Sequence, residues 1–191
     1  MNTRPSKIVC VGRSYAEHAR ELGNAIPDSP VLFIKPPSSL ISLEDGITWN
    51  KDLGNLHHEC ELTLRLDQSL KNETDPQKAL EAIGAVTLGL DLTLRDLQDS
   101  LKKKGHPWER SKAFDGACVL ADWVDISEVK AWNAVTFDFQ VNDQVRQKGD
   151  TALLLFSIAY LLCDISQVFS LEEGDVVMTG TPAGVGALAS G

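Results

Sequence analysis

The apolar residues of this chain come in short runs, most of them closed by glycine, proline or an Asn-Asp pair, and the runs do not alternate regularly with helical segments. That spacing is the strongest constraint on the fold. A doubly wound sheet needs a crossover helix between successive parallel strands, and here short strands outnumber helices. Residues 7–11 read as a buried strand stopped by Gly12, and Arg13 or Ser14 opens a short helix through Leu22, ended by Gly23 and Asn24. The turn Asp28-Ser29-Pro30 leads into a strand at 31–34, halted by Lys35-Pro36-Pro37, and residues 38–56 read as irregular. Further strands are expected at 59–66, 85–90, 117–120, 134–141, 144–147 and 175–179, with Asn142-Asp143 as a hairpin turn. Helices are expected at 75–83 and 94–104, and an apolar, buried one at 152–168. The expected class is α+β: curled or sandwiched sheets with short flanking helices, in one domain of 191 residues.

Charge and cysteine usage narrow the function. A net charge of −9 and a pI near 4.9 argue against nucleic acid or an anionic membrane as partner, while leaving room for a local positive pocket that takes a small anion. Cys10, Cys60, Cys118 and Cys163 lie far apart without a Cys-x-x-Cys pair, which fits free thiols in a reducing compartment. The polar N-terminus has no signal-peptide pattern, and the most apolar stretch, 152–163, is too short to span a bilayer. The expected location is cytoplasm or an organelle matrix. After the turn ending at Gly186 a strand is expected, yet few residues remain, so the domain is expected to lack its last strands.

The chemistry concentrates in a few places. In His57-His58-Glu59-Cys60-Glu61 the two glutamates share one face of a strand while Cys60 turns away. Paired carboxylates repel, and a dication completed by Asp91, at the end of the run Ala85-Val86-Thr87-Leu88-Gly89-Leu90, offsets that; all-oxygen ligation suits Mg²⁺ or Mn²⁺. The plainer reading is the solvated face of an exposed strand. His18 and Glu21 lie one helical turn apart, the arrangement of a water-activating base or of a surface salt link. Lys112 serves either to neutralise an oxyanion or as a solvated loop lysine. Arg95, Asp96 and Gln98 follow Asp91 closely and lie near any metal held there, or else decorate the helix. The glycine-rich segment from Gly180 to Gly186 offers backbone donors and the hydroxyl of Thr181 for a carboxylate, but no phosphate-loop lysine follows it.

Seven blocks in order make the chain resemble the fumarylacetoacetate hydrolase superfamily, in particular the small branch of acylpyruvases and fumarylpyruvate hydrolases. They are Val9-Cys10-Val11-Gly12-Arg13-Ser14-Tyr15-Ala16-Glu17-His18, Pro30-Val31-Leu32-Phe33-Ile34-Lys35-Pro36, His57-His58-Glu59-Cys60-Glu61, Leu90-Asp91-Leu92-Thr93-Leu94-Arg95-Asp96-Leu97-Gln98, Lys103-Lys104-Gly105-His106-Pro107-Trp108, Lys112-Ala113-Phe114-Asp115 and Gly174-Asp175-Val176-Val177-Met178-Thr179-Gly180-Thr181-Pro182. The resemblance implies Mg²⁺ or Mn²⁺ on Glu59, Glu61 and Asp91, a water-activating dyad of His18 and Glu21 on a lid-like segment, and Lys112 facing metal and substrate. It implies substrate contacts from Thr181, Arg95 and Gln98, and we group Arg13 and Gly180 with them. It also implies a mixed β-sandwich roll, usually dimeric.

The leading expectation is metal-dependent hydrolysis of a carbon–carbon bond in acylpyruvate-type 2,4-dioxo acids, releasing pyruvate, with a small 2-oxo acid as the partner. Oxaloacetate keto–enol tautomerisation, oxaloacetate decarboxylation and isomerisation of a hepta-2,4-diene-1,7-dioate are the alternatives for the same site. A non-catalytic metal-binding remnant is the reading outside enzymology.

Overall fold

The computed structural model describes residues 4–189. In chain order the strands and helices are β1 (Ile8–Gly12), α1 (Ala16–Glu21), β2 (Val31–Lys35), β3 (Leu40–Ser42), β4 (Leu56–His58), β5 (Cys60–Leu66), α2 (Pro76–Glu81), β6 (Ile83–Asp91), β7 (Thr93–Leu94), α3 (Arg95–Lys103), α4 (Glu109–Lys112), β8 (Cys118–Leu120), β9 (Val124–Asp125), β10 (Thr136–Val141), β11 (Gln144–Asp150), α5 (Ile158–Val168), β12 (Val176–Met178) and β13 (Gly186–Ala187). The main sheet has eight strands in the order β2-β1-β12-β5-β6-β8-β3, with β9 paired to β6. It is mixed: β1 runs parallel to β12 and β3 parallel to β8, and the remaining pairs are antiparallel. A small sheet, β13-β4-β7, and the β10–β11 hairpin complete a curled α+β architecture, as the strand spacing predicts.

Period-2 alternation sorts the side chains of the main sheet into two layers. Val9 and Val11 of β1, Leu62, Leu64 and Leu66 of β5 and Val177 of β12 face α2 and α5, where Leu161, Leu162 and Ile165 are fully buried against them. Removing the Ile165 side chain beyond Cβ would cost about 2–5 kcal/mol. Ile8, Cys10, Val176, Met178, Cys118 and Leu120 pack on the other side, and that is also the side toward which the odd-numbered residues of β5 project. Gly89 of β6 lies on the same side. A Cβ there would come within 2.7 Å of Thr63 Oγ1 and 2.8 Å of Leu120, so only glycine lets these strands close over the layer.

Several boundaries differ from the sequence reading, each for a local reason. The apolar stretch 152–168 is not one helix. Thr151–Leu153 is a 3₁₀ turn, and α5 starts only after Ser157, whose hydroxyl accepts the Tyr160 N–H as an N-cap. Between them the Leu155 N–H donates to Ser14 O, tying the segment to the β1–α1 loop. Helix α1 begins at Ala16, because Arg13 sits at φ +57° and Tyr15 is extended. Residues 38–56 hold β3 and three 3₁₀ turns, stabilised by local Ser42 and Asn50 caps rather than by a periodic pattern. The glycine-rich turn runs into the two-residue β13, paired to β4. The hairpin turn is as expected, with Asn142 and Asp143 both left-handed. Among the described residues no helix is long and apolar enough to cross a membrane.

Candidate active site

Strand pairing brings the three acidic residues together. In the antiparallel β5–β6 ladder Cys60 faces Leu90 and Glu61 faces Gly89. One step beyond the ladder the Asp91 N–H donates to Glu59 O at 2.8 Å. Glu59 occupies the break between β4 and β5 rather than the strand itself, yet the alternation carries through it. Residues 59, 61 and 91 therefore fall on one side, with Asp91 across from Glu59 and Glu61 diagonal to it. All three are buried, and one carboxylate oxygen from each lies within 4.8 Å of the others. The exposed-strand reading is thereby excluded.

Buried carboxylates need counter-charge. Lys112, on the short helix α4 and only 3% exposed, places Nζ 2.7 Å from Glu59 Oε2 and 2.6 Å from Asp91 Oδ2. It is no solvated loop lysine. Arg95, the first residue of α3, reaches Glu59 Oε1 with one nitrogen and Gln98 Oε1 with another, at 2.7 Å for the latter. Burial alone would raise the Glu59 pKa, but the charges of Lys112 and Arg95 override it and hold the carboxyl well below the usual range. Lys112 is itself pushed above the ordinary lysine value: burial opposes its charge, but Asp91 and Glu59 prevail. Glu61 is the exception, raised well above the ordinary carboxyl value by burial and by its neighbour Asp91. Its own support is the Gly180 N–H, which donates to Oε2 at 2.7 Å.

A third cation was not legible in the sequence. Lys35 reads there as the residue that stops a strand before Pro36-Pro37. In the fold it is the last residue of β2, fully buried, with Nζ 2.8 Å from Asp91 Oδ1 and donating to Lys112 O. A lysine without a visible partner in its own segment is the one local hint.

The donor set fits a hard dication. All candidate ligand atoms are carboxylate oxygens, Glu61 has no ammonium or guanidinium within 4.0 Å among the described residues, and Asp91 Oδ1 accepts no hydrogen bond of good geometry despite being buried. Glu59, Glu61 and Asp91 are the residues that would hold Mg²⁺ or Mn²⁺.

His18 lines the same cleft from α1 and is 5% exposed, so it is not a surface residue. Its Nδ1 lies 3.4 Å from Glu21 Oε2. Glu21 is in turn held by the Gly184 N–H at 3.1 and 3.3 Å from its two oxygens, which ties α1 to the glycine-rich loop. Burial lowers the His18 pKa, against the opposing pull of Glu59 and Glu21, so the ring is neutral at pH 7.

The loop residues are engaged differently from the sequence reading. The Gly180 N–H is committed to Glu61 rather than left for a substrate carboxylate. Glycine is required there, since φ is +101° and a Cβ would approach Ser14 Oγ to 2.4 Å. The Thr181 hydroxyl is not free: it donates to Cys60 O at 2.9 Å and accepts from Gln147 Nε2 at 2.7 Å. Gln147, a buried residue of β11 that sequence reasoning passed over, also donates to Pro182 O and accepts the Cys60 N–H. The hairpin thus clamps the loop to the start of β5. Asp96 points away, accepting from Asn55 on the exposed side of α3, whereas Gln98 and Arg13 line the cleft.

Known proteins similar to this chain share its family and fold. The model of the fumarylacetoacetate (FAA) hydrolase C-terminal family matches residues 7–191. The oxaloacetate tautomerase YcgM of Escherichia coli is 43% identical over 187 residues, covering 97% of this chain and 85% of that protein. A mitochondrial oxaloacetate decarboxylase of Dictyostelium discoideum is 39% identical over 186 residues, 97% of this chain and 83% of that protein. The structure of a fumarylpyruvate hydrolase from Pseudomonas aeruginosa, in complex with Mn²⁺ and pyruvate, superposes with a TM-score of 0.88 at 34% identity, covering 97% of this chain and 81% of that one. Fold, buried carboxylate triad and these likenesses lead to one conclusion: the chain belongs to the fumarylacetoacetate hydrolase C-terminal family.

Proposed function

We propose that the protein is a divalent-metal-dependent enzyme that interconverts the keto and enol forms of oxaloacetate. The observation that carries the reading is the buried triad Glu59, Glu61 and Asp91 in one cleft with a neutral His18, in a chain similar to an oxaloacetate tautomerase over most of its length. Hydrolysis of acylpyruvates, the leading expectation from sequence, becomes the second reading, supported by the likeness to the fumarylpyruvate hydrolase.

A Mg²⁺ or Mn²⁺ held by the three carboxylates would supply Lewis-acid polarisation of a 2-oxo carboxylate. His18 moves the proton. With Nδ1–H turned toward Glu21, its Nε2 lone pair is the free base. Nε2 takes a proton from C3, the C–H electron pair becomes the C2–C3 double bond, and the carbonyl electrons pass to O2. The imidazolium then returns the same proton to O2, so no outside acid or water is consumed. The Lys112 ammonium, kept protonated by Glu59 and Asp91, offsets the negative charge on O2 between the transfers.

The test follows the decay of enol absorbance of oxaloacetate with purified protein and Mg²⁺ or Mn²⁺, and again with chelator. Metal-dependent acceleration without pyruvate release supports tautomerisation. Pyruvate release from oxaloacetate indicates decarboxylation instead, and release from acetylpyruvate or fumarylpyruvate indicates hydrolysis. Absence of all three defeats the enzymatic reading.

A further inference from the structure

The floor of the cleft is matched in charge: Lys35, Arg95 and Lys112 equal the three carboxylates in number, and each lies against Glu59 or Asp91. The rim is not. Arg13 and Lys102 also line the cleft, and among the described residues neither forms an ion pair or a hydrogen bond through its side chain. A dication on the floor would leave that positive surplus larger still. On a chain of net charge −9, such a surplus is a local feature of this cleft.

The fold positions the Lys102 side chain and the Arg13 backbone. Lys102, on α3, lies with Nζ 5.4 Å from the Trp108 ring centroid, and Trp108 in turn meets Phe33 edge-on at 6.0 Å. The Lys112 N–H donates to Trp108 O at 3.0 Å, which ties the wall behind Lys102 to the helix that carries the floor lysine. Arg13 is set by a left-handed backbone at φ +57°, a conformation costing a non-glycine residue about 1–2 kcal/mol. The two feel each other: burial, then Arg95 and Lys112, push the Lys102 pKa down to about 8 against the pull of Glu59, and Arg13 adds a smaller push in the same direction. Cations crowded in this way await an anion.

We infer that Lys102, together with Arg13, binds the second carboxylate of the substrate, the one away from the metal ligands, and so selects dianionic 2-oxo dicarboxylates over 2-oxo monocarboxylates. The inference deepens the function proposed above and rests on a 2-oxo acid being the ligand of this cleft. Lys102 is a specificity residue, and its side chain takes no part in the proton transfer.

The experiment compares oxaloacetate with its C4 methyl ester in turnover, and oxaloacetate with 2-oxobutyrate in thermal stabilisation of the Mg²⁺-loaded protein. Lys102→Gln is expected to raise KM for oxaloacetate about tenfold, as for loss of a charge-assisted contact, with kcat changed far less and KM for the ester unmoved. The extra rise in Tm given by oxaloacetate over 2-oxobutyrate should shrink in Lys102→Gln and Arg13→Gln and persist in Lys102→Arg. Equal losses for both acids, or no loss for either, overturn the inference. Absence of turnover with the Tm difference intact would instead defeat the tautomerase reading and leave this one standing.

Discussion

The floor and the rim of the cleft hold the same residue types in opposite states. On the floor, Lys35, Arg95 and Lys112 are buried against Glu59 and Asp91 with contacts of 2.6–2.8 Å where Lys35 and Lys112 are concerned. At the rim, Arg13 and Lys102 are partly exposed and pair with no carboxylate among the described residues. Desolvation explains the contrast. A charge taken fully out of water must find its partner within the fold, whereas one at a rim keeps partial hydration and can wait for a ligand. The floor is built to be complete before substrate arrives, and the rim to be completed by it.

Removing a floor carboxylate tests that difference most severely. Asp91→Ala would strand Lys35 in a buried site and leave Lys112 with Glu59 alone, at a cost of about 3–5 kcal/mol, and metal affinity measured by calorimetry should fall by more than roughly 100-fold. A variant with unchanged melting and metal binding would erase the distinction between floor and rim.

The proton-transfer group comes next. His18→Ala should reduce tautomerisation by about 10²–10⁴-fold while leaving Mg²⁺ affinity intact; a metal-only decarboxylation would survive the change. The pH dependence follows from the direction of the shift. Because burial sets the folded-state pKa of His18 below 6.5, the neutral base persists at pH 7, and activity falls only as pH drops through that lowered value. The linked contribution to stability has the same sign: present above pH 6.5 and lost as pH falls through the folded-state pKa. Glu21 opposes the shift, so Glu21→Gln should move the acidic limb of the pH–kcat profile to still lower pH. A limb displaced upward would contradict this assignment.

A smaller effect is expected at the clamp. Gln147→Leu leaves the Cys60 N–H unpaired and removes the hold on Thr181 and Pro182, costing about 1–3 kcal/mol. KM should rise as the loop loosens, and metal affinity should not. Ser157→Ala, at the N-cap of α5 on the far face of the sheet, sets the lower limit: about 1 kcal/mol of stability, with metal binding and turnover untouched. A change in either would show that the helix layer and the cleft are coupled.

Much of the fold was legible because alternation and turn chemistry are local. The strands at β5 and β6, the Asn142-Asp143 hairpin and the shared face of Glu59 and Glu61 all follow from period 2 and from residues that favour left-handed turns. Where one segment answers to a distant one, the local pattern misled. Residues 152–157 look helical, yet the Leu155 N–H is spent on Ser14 O and the helix waits for Ser157. The site divides in the same way. The triad, His18 and Lys112 lie in the seven blocks, and Glu21 follows His18 by one helical turn; Lys35 lies in a block too but read only as a strand stop, and Gln147 and Lys102 carried no local signal.

The amino-acid order determined which side chains share a face, Glu59 with Glu61 among them, because strand periodicity is a property of the backbone at each residue; the pairing of β5 with β6 brought Asp91 to them. The order could not determine which cations are desolvated beside those acids or which remain at the mouth of the cleft. That depends on Lys35 arriving from a sheet edge and Lys112 from a short helix, and the energy of a buried charge is set by neighbours that only the folded chain assembles.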